Sequence, residues 1–264
     1  MTKTQAHRWA LVTGASGGIG QEIARELAAA GYALVLVARD AARLARVADE
    51  LAQAHGVPVQ PLPCDLAQAG AVEALAQALA QGDIVPEVLV NNAGFGVYGE
   101  HARTDWQAEH GMIELNVTAL TALTKRLLPG MVRRGRGRIL NVASTAAFQP
   151  GPYMAVYYAT KAYVLSYSEA LAEELSSSGI TVTALCPGPT ATAFSQRAQA
   201  VDSALFKGKR LPDASEVARY GVRALQRGRR VAVHGCMNSL LAQSVRFTPR
   251  RVVTRLVAQM SRRV

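Results

Sequence analysis

Short, uninterrupted apolar runs alternate with longer segments of helical periodicity from residue 9 to residue 190. Ala10-Leu-Val12 precedes the helix-like Ile19 to Ala30, Ala33 to Val37 precedes Ala41 to Ala54, and Val57 to Pro61 precedes Gly70 to Gln81. Val88 to Val90, Arg138 to Val142 and Thr181 to Leu185 are further runs of the same kind. A strand that is apolar at every position is buried on both faces, and its alternation with crossover helices marks a parallel sheet covered on both sides. The pattern predicts an α/β fold: a doubly wound parallel sheet of six or seven strands in a single domain, followed by a C-terminal helical extension. Gly151-Pro152 and Pro187-Gly-Pro189 read as loops at strand ends. We divide the chain into a main unit over 1–235, with a mobile helical lid at about 191–211, and a basic amphipathic extension over 236–264.

Composition narrows this picture. The chain has 264 residues, 50% of them apolar, which is enough for a core without staples. Cys64, Cys186 and Cys236 form no close-spaced pair, and His7, His55, His101, His110 and His234 show no ligand spacing. Neither a disulfide framework nor a metal site is expected, and the cytoplasm is the simplest setting. Met1 to Arg8 leads directly into a strand-like run, leaving no room for a signal peptide, and the longest uncharged stretches are broken by Pro and Gly.

The net charge of +10 is concentrated at one end. Residues 1–206 hold 15 Lys/Arg against 17 Asp/Glu, whereas residues 207–264 hold 14 against 2. After Pro249, Val252, Val253, Leu256, Val257 and Met260 fall on one helical face, with Arg251, Arg255 and Arg262 opposite. Such a helix suits peripheral contact with an anionic inner membrane surface, a dimer interface, an acidic ligand such as acyl-CoA, or packing on its own domain with a solvated arginine face. No nucleic-acid recognition motif accompanies the charge.

Candidate chemistry lies at the strand ends. Thr13-Gly14-Ala15-Ser16-Gly17-Gly18-Ile19-Gly20 joins the first strand to the first helix. Glycines there permit a tight turn and a close backbone approach to a pyrophosphate resting on the helix N-terminus. We assign this contact to Gly14, Ser16, Gly18, Ile19 and Gly20. The second strand ends in Arg39, where an acidic residue would bind a ribose 2′-hydroxyl and an arginine offers a fork to a 2′-phosphate. NADP(H) is therefore the expected cofactor, with Arg43 nearby as a substitute for Arg39. Asp65 and Leu66, after the third run, are placed beside adenine.

Taken in order and spacing, Thr13 to Gly20, Asn91-Asn92-Ala93-Gly94, Ser144, Tyr157-Tyr-Ala-Thr-Lys161 and Pro187-Gly188 resemble the short-chain dehydrogenase/reductase family, which has a Rossmann fold. Within it the chain looks most like the branch of 17β-hydroxysteroid and 3-ketoacyl reductases. The resemblance implies an NADP(H)-dependent oxidoreductase, homo-oligomeric as a dimer or tetramer, with Tyr157 as acid/base. Tyr157 and Lys161 stand one helical turn apart, so the ammonium can favour the phenolate, and in the family the lysine also binds the nicotinamide ribose. Ser144 is similar in position to the serine that donates to the substrate oxygen, and Asn116 to the asparagine that holds a relay water. Asn92, Ala93 and Gly94 would contact cofactor, and Pro187, Gly188 and Thr190 would close over the carboxamide. Tyr158 adjoins Tyr157 but lacks the spacing to Lys161. By analogy Phe95, Phe148, Tyr153, Met154 and Phe194 surround a hydrophobic carbonyl or alcohol substrate. The alternatives are a cofactor-binding sensor and a membrane-associated scaffold with little catalytic activity.

Overall fold

A computed structural model describes residues 7–194, 198 and 211–262. Seven strands form one all-parallel sheet in the order β3-β2-β1-β4-β5-β6-β7. They are β1 Trp9–Thr13, β2 Ala33–Ala38, β3 Val59–Pro63, β4 Val88–Asn91, β5 Gly137–Val142, β6 Ile180–Cys186 and β7 Val231–Val233. β2 is buried at every position, as its unbroken apolar run predicts. β3 starts two residues later than its pattern suggests and keeps Pro61 and Pro63, which an edge strand tolerates because one side of its ladder needs no N–H.

Helices α1 Gly18–Ala29, α2 Ala41–His55 and α7 Ala214–Gln226 cover one face. Their Ile23, Leu27, Leu44, Leu51, Val217 and Leu225 pack on Val12, Leu34, Leu36, Val90 and Leu140. Helices α3 Ala71–Gln81, α5 Leu120–Arg133 and α6 Ala155–Glu174 cover the other, where Leu75, Leu79, Leu123 and Leu171 meet Leu11, Val35, Leu89 and Ile139. Neighbouring strand residues thus serve opposite layers. α4 Trp106–Ile113 runs through a π-helical stretch, Glu114–Ala119, into α5.

β1 and β4 are adjacent although their crossovers leave in opposite directions, so the turns after them open a crevice at the carboxyl edge of the sheet. At the opposite edge, the buried Glu87 carboxylate receives Arg8 at 2.7 Å and lies near Arg136 and Arg138. These cations hold its pKa below the usual carboxylate range despite burial.

The chain ends in α8 Cys236–Ser244 and α9 Arg250–Ser261. Val253 and Val257 of α9 are buried in a cluster with Met112, Tyr157 and Tyr158, so the extension packs on its own domain. Among the described residues no helix is long and apolar enough to cross a membrane. The expected lid lies outside the described residues except for 191–194, 198 and 211.

Candidate active site

The glycine turn is built from both sides of the crevice. Gly14 and Gly18 adopt φ of +65° and +58°, a region that penalises any side chain. Thr13 Oγ1 accepts from the backbone N–H groups of Asn92 and Ala93, both at 3.0 Å, and donates to the Val90 carbonyl at 3.2 Å. Asn92 Nδ2 donates back to the Thr13 carbonyl at 2.9 Å, stitching the end of β4 to the end of β1. A Cβ at Gly20 would stand 2.3 Å from that same Nδ2. Gly14, Ser16, Gly18 and Ile19 line a cavity of about 1250 Å³, whereas Gly20 is buried behind it and serves close packing.

From this turn the cavity reaches Arg39 and Arg43 at one end, with Asp65, Leu66, Asn92, Ala93 and Gly94 on its walls. Asp40 caps α2 by accepting from the Arg43 N–H at 2.9 Å. The cap sets the first turn of α2 so that the Arg43 guanidinium lies 2.9 Å from where a Cβ on Gly17 would project. Arg43 thus leans over the glycine turn and lines the same cavity as Arg39. Asp65 is held by the Ala67 N–H at 3.2 Å.

At the other end stand Ser144, Tyr157 and Lys161, together with Pro187, Gly188 and Thr190. Ser144 caps a short 3₁₀ turn, Thr145–Phe148, its Oγ accepting from the Ala146 N–H at 3.1 Å and donating over a long 3.4 Å to the Pro187 carbonyl. Tyr157 and Lys161 project from the first turns of α6. Burial raises the Tyr157 phenol above its ordinary value, opposed by a hydrogen bond with Ser144. Burial lowers the Lys161 ammonium to about 8. Its Nζ donates to the Val142 carbonyl at 2.8 Å and lies 5.9 Å from the Tyr157 ring centre. The phenol is therefore protonated at neutral pH, the form that can deliver a proton.

Asn116 sits in the π-helical stretch and is 1% exposed. It stands behind the cavity wall. Its Nδ2 donates to the Phe95 carbonyl at 3.0 Å and to Thr160 Oγ1 at 3.1 Å, and its Oδ1 accepts from the Phe95 N–H at 3.2 Å. Thr160 in turn donates to the Tyr157 carbonyl at 2.7 Å. This chain of bonds fixes the α6 turn that bears Tyr157. Sequence reasoning passed over Thr160, although it stands three residues after Tyr157 on the same helical face. A Cβ at Gly94 would meet Asn116 Oδ1 at 2.8 Å and Lys161 Nζ at 3.5 Å, so Gly94 leaves the approach to the lysine open.

Of the five expected substrate-side residues, Phe95, Met154 and Phe194 line the cavity. Phe148 and Tyr153 do not. Phe148 packs against the cluster of Leu120, Val164 and Leu165, and Tyr153, at φ +67°, stacks on Tyr98 with ring centres 6.1 Å apart. Both lie in turns, where side-chain direction has no period to read. The wall is completed by Asn238, Leu241 and Ala242 of α8 and Met260 of α9. Asn238 Nδ2, anchored to the His234 carbonyl at 2.8 Å, would lie 2.5 Å from a Cβ on Gly188.

A crevice with a glycine cradle at one end and a buried lysine beside an open glycine at the other fits an extended dinucleotide. The short chain dehydrogenase family model matches residues 8–202. A very-long-chain 3-oxoacyl-CoA reductase from Laccaria bicolor is 40% identical over 178 residues, 66% of this chain and 52% of that one. The chain thus spans about half the length of that relative. A putative ketoacyl reductase of granaticin polyketide synthase from Streptomyces violaceoruber is 40% identical over 196 residues, 74% and 72% of the two chains. A short-chain dehydrogenase from Sphingobium yanoikuyae, solved in complex with NADPH, superposes with a TM-score of 0.81 at 34% identity, over 91% of this chain and 94% of that one. The chain belongs to the short-chain dehydrogenase/reductase family and is an oxidoreductase.

Proposed function

We propose that the protein is an NADP(H)-dependent reductase of hydrophobic ketones, working between C=O and CH–OH with Tyr157 as acid/base. The observation that carries this reading is the convergence of Ser144, Tyr157 and Lys161 at one end of the crevice that begins at the glycine turn. When bound, the nicotinamide supplies the hydride. Gly14, Ser16, Gly18 and Ile19 would receive the pyrophosphate at the positive end of α1. Arg39 and Arg43 would grip the 2′-phosphate, Asp65 and Leu66 would flank adenine, and Asn92 to Gly94 with Lys161 would hold the riboses. Pro187, Gly188 and Thr190 would orient the carboxamide.

Ser144 Oγ can exchange its long contact with Pro187 for a hydrogen bond to the substrate oxygen, where negative charge develops. Tyr157 donates its proton to that oxygen, and the Lys161 charge offsets the phenolate left behind. A phenol held protonated by burial suits reduction at neutral pH. Asn116 acts through Phe95 and Thr160 as a positioning residue. The aromatic and aliphatic wall of Phe95, Met154, Phe194, Leu241 and Met260 supports a hydrophobic substrate, as do the names of the ketoacyl and 3-oxoacyl-CoA reductase relatives. NADPH in the Sphingobium structure supports the cofactor.

The test is Tyr157→Phe. Turnover of ketones from an NADPH-absorbance screen should fall by about 10²–10⁴-fold, while NADPH affinity stays within about twofold. A fully active variant would refute the assignment.

A further inference from the structure

The last two helices leave a large apolar surface uncovered beside the cavity. Met237, Leu240 and Leu241, spaced to share one face of α8, are 66%, 64% and 54% exposed, and Phe247 in the following turn is 88% exposed. In α9 the stripe Val253, Val257, Ser261 is buried, but the stripe one residue earlier, Val252, Leu256 and Met260, remains exposed. Continuing round the helix, Arg251, Arg255 and Arg262 follow that exposed stripe. With Arg246 and Arg250 they make five exposed arginines that form no ion pair among the described residues. The sequence contains no Asp or Glu after Glu216. Leu241 and Met260 also line the cavity, so each exposed stripe reaches its wall.

We propose that this surface docks the protein on an anionic lipid bilayer, with the mouth of the cavity turned towards the lipid. An apolar stripe held between a buried face and a row of arginines is the arrangement of a helix lying in the headgroup region, its apolar side chains entering the acyl boundary and its guanidiniums meeting lipid phosphates. A second copy of the chain is a poorer occupant. A two-fold contact would bring the same arginines together with no carboxylate from this segment to neutralise them. Docking would allow a carbonyl compound dissolved in the membrane to enter without crossing water. The docking itself stands independently of the reaction proposed above.

The experiment is co-sedimentation of the full chain with vesicles of phosphatidylglycerol and phosphatidylcholine, against phosphatidylcholine alone. The protein should pellet with the anionic vesicles, and salt should release it. Leu240→Ser combined with Phe247→Ser, neither of which lines the cavity, should weaken partitioning at least tenfold while thermal stability and NADPH affinity stay unchanged. Arg251→Glu with Arg255→Glu should remove the preference for anionic vesicles. Wild type that stays in the supernatant, or pellets equally with both compositions, overturns the proposal. So does a doubled mass in light scattering that Phe247→Ser abolishes, since the surface is then a contact between copies. Should the double serine variant lose its fold, the comparison of the two vesicle compositions with wild type decides alone.

Discussion

Lys161 is only 6% exposed, and burial draws its pKa from 10.5 to about 8. Below pH 8 both the folded and the unfolded chain carry this charge, so folding bears its desolvation in full. Between about 8 and 10.5 the unfolded chain binds the proton that the folded one has released, and wild-type stability rises with pH. Lys161→Met should therefore stabilise the protein by about 1–3 kcal/mol at pH 7, and the gain should vanish above the unfolded pKa. Urea unfolding at about pH 7 and about pH 11, above the unfolded pKa, checks this; a variant less stable at pH 7 would mean that the bond to Val142 outweighs burial. The same titration should make kcat/KM for ketone reduction decline above about pH 8, read from the free enzyme's pH profile. At the other end of the crevice, Arg39 and Arg43 are both proposed to read the 2′-phosphate. Each single change to Ala should lower the NADPH-over-NADH ratio of kcat/KM about tenfold, and the double change about a hundredfold, as expected for charged hydrogen bonds of about 1.5–3 kcal/mol. An unchanged ratio in the double variant would show that neither arginine reads the phosphate.

Among the elements, α9 has the clearest separable role. Ending the chain at Thr248 removes the buried Val253 and Val257 and takes Met260 from the cavity wall. The KM of bulky ketones should rise several-fold more than that of small ones, while NADPH affinity changes little. Equal effects on both substrate sizes would place α9 outside the specificity wall. The sheet was legible because β1, β2, β4, β5 and β6 are apolar on both faces, and the glycine turn, Ser144 and Pro187 follow at strand ends. β7, only three residues long, has too short a run to stand out. The π-helical stretch was invisible because Leu115 and Ala119, four residues apart, fit one face of an ordinary helix, yet it seats Asn116 against Phe95 and Thr160. Helical spacing located the apolar face of α9 but not what it faces: half of it packs on Tyr157 and Tyr158, and half lies open.

For the whole molecule, the charge asymmetry read from the sequence acquires a location. The positive excess belongs in part to α9 and the turn before it, whose Met260 reaches the cavity wall, while the glycine-turn end of the cavity is built from the nearly neutral remainder. Contacts brought about by folding alone, such as Asn238 over Gly188 some fifty residues away, have no local signature. The all-parallel order of the strands has a kinetic corollary. No two neighbouring strands are joined by a hairpin, so each ladder forms only after a crossover has closed, and high contact order slows folding. The glycine turn, Asn92, Ser144 and Pro187 follow β1, β4, β5 and β6, whose pairing spans residues 9 to 186. During synthesis, a chain stopped before β6 would have an unpaired, apolar β5 edge and an incomplete pocket, vulnerable to aggregation until the remaining strands arrive.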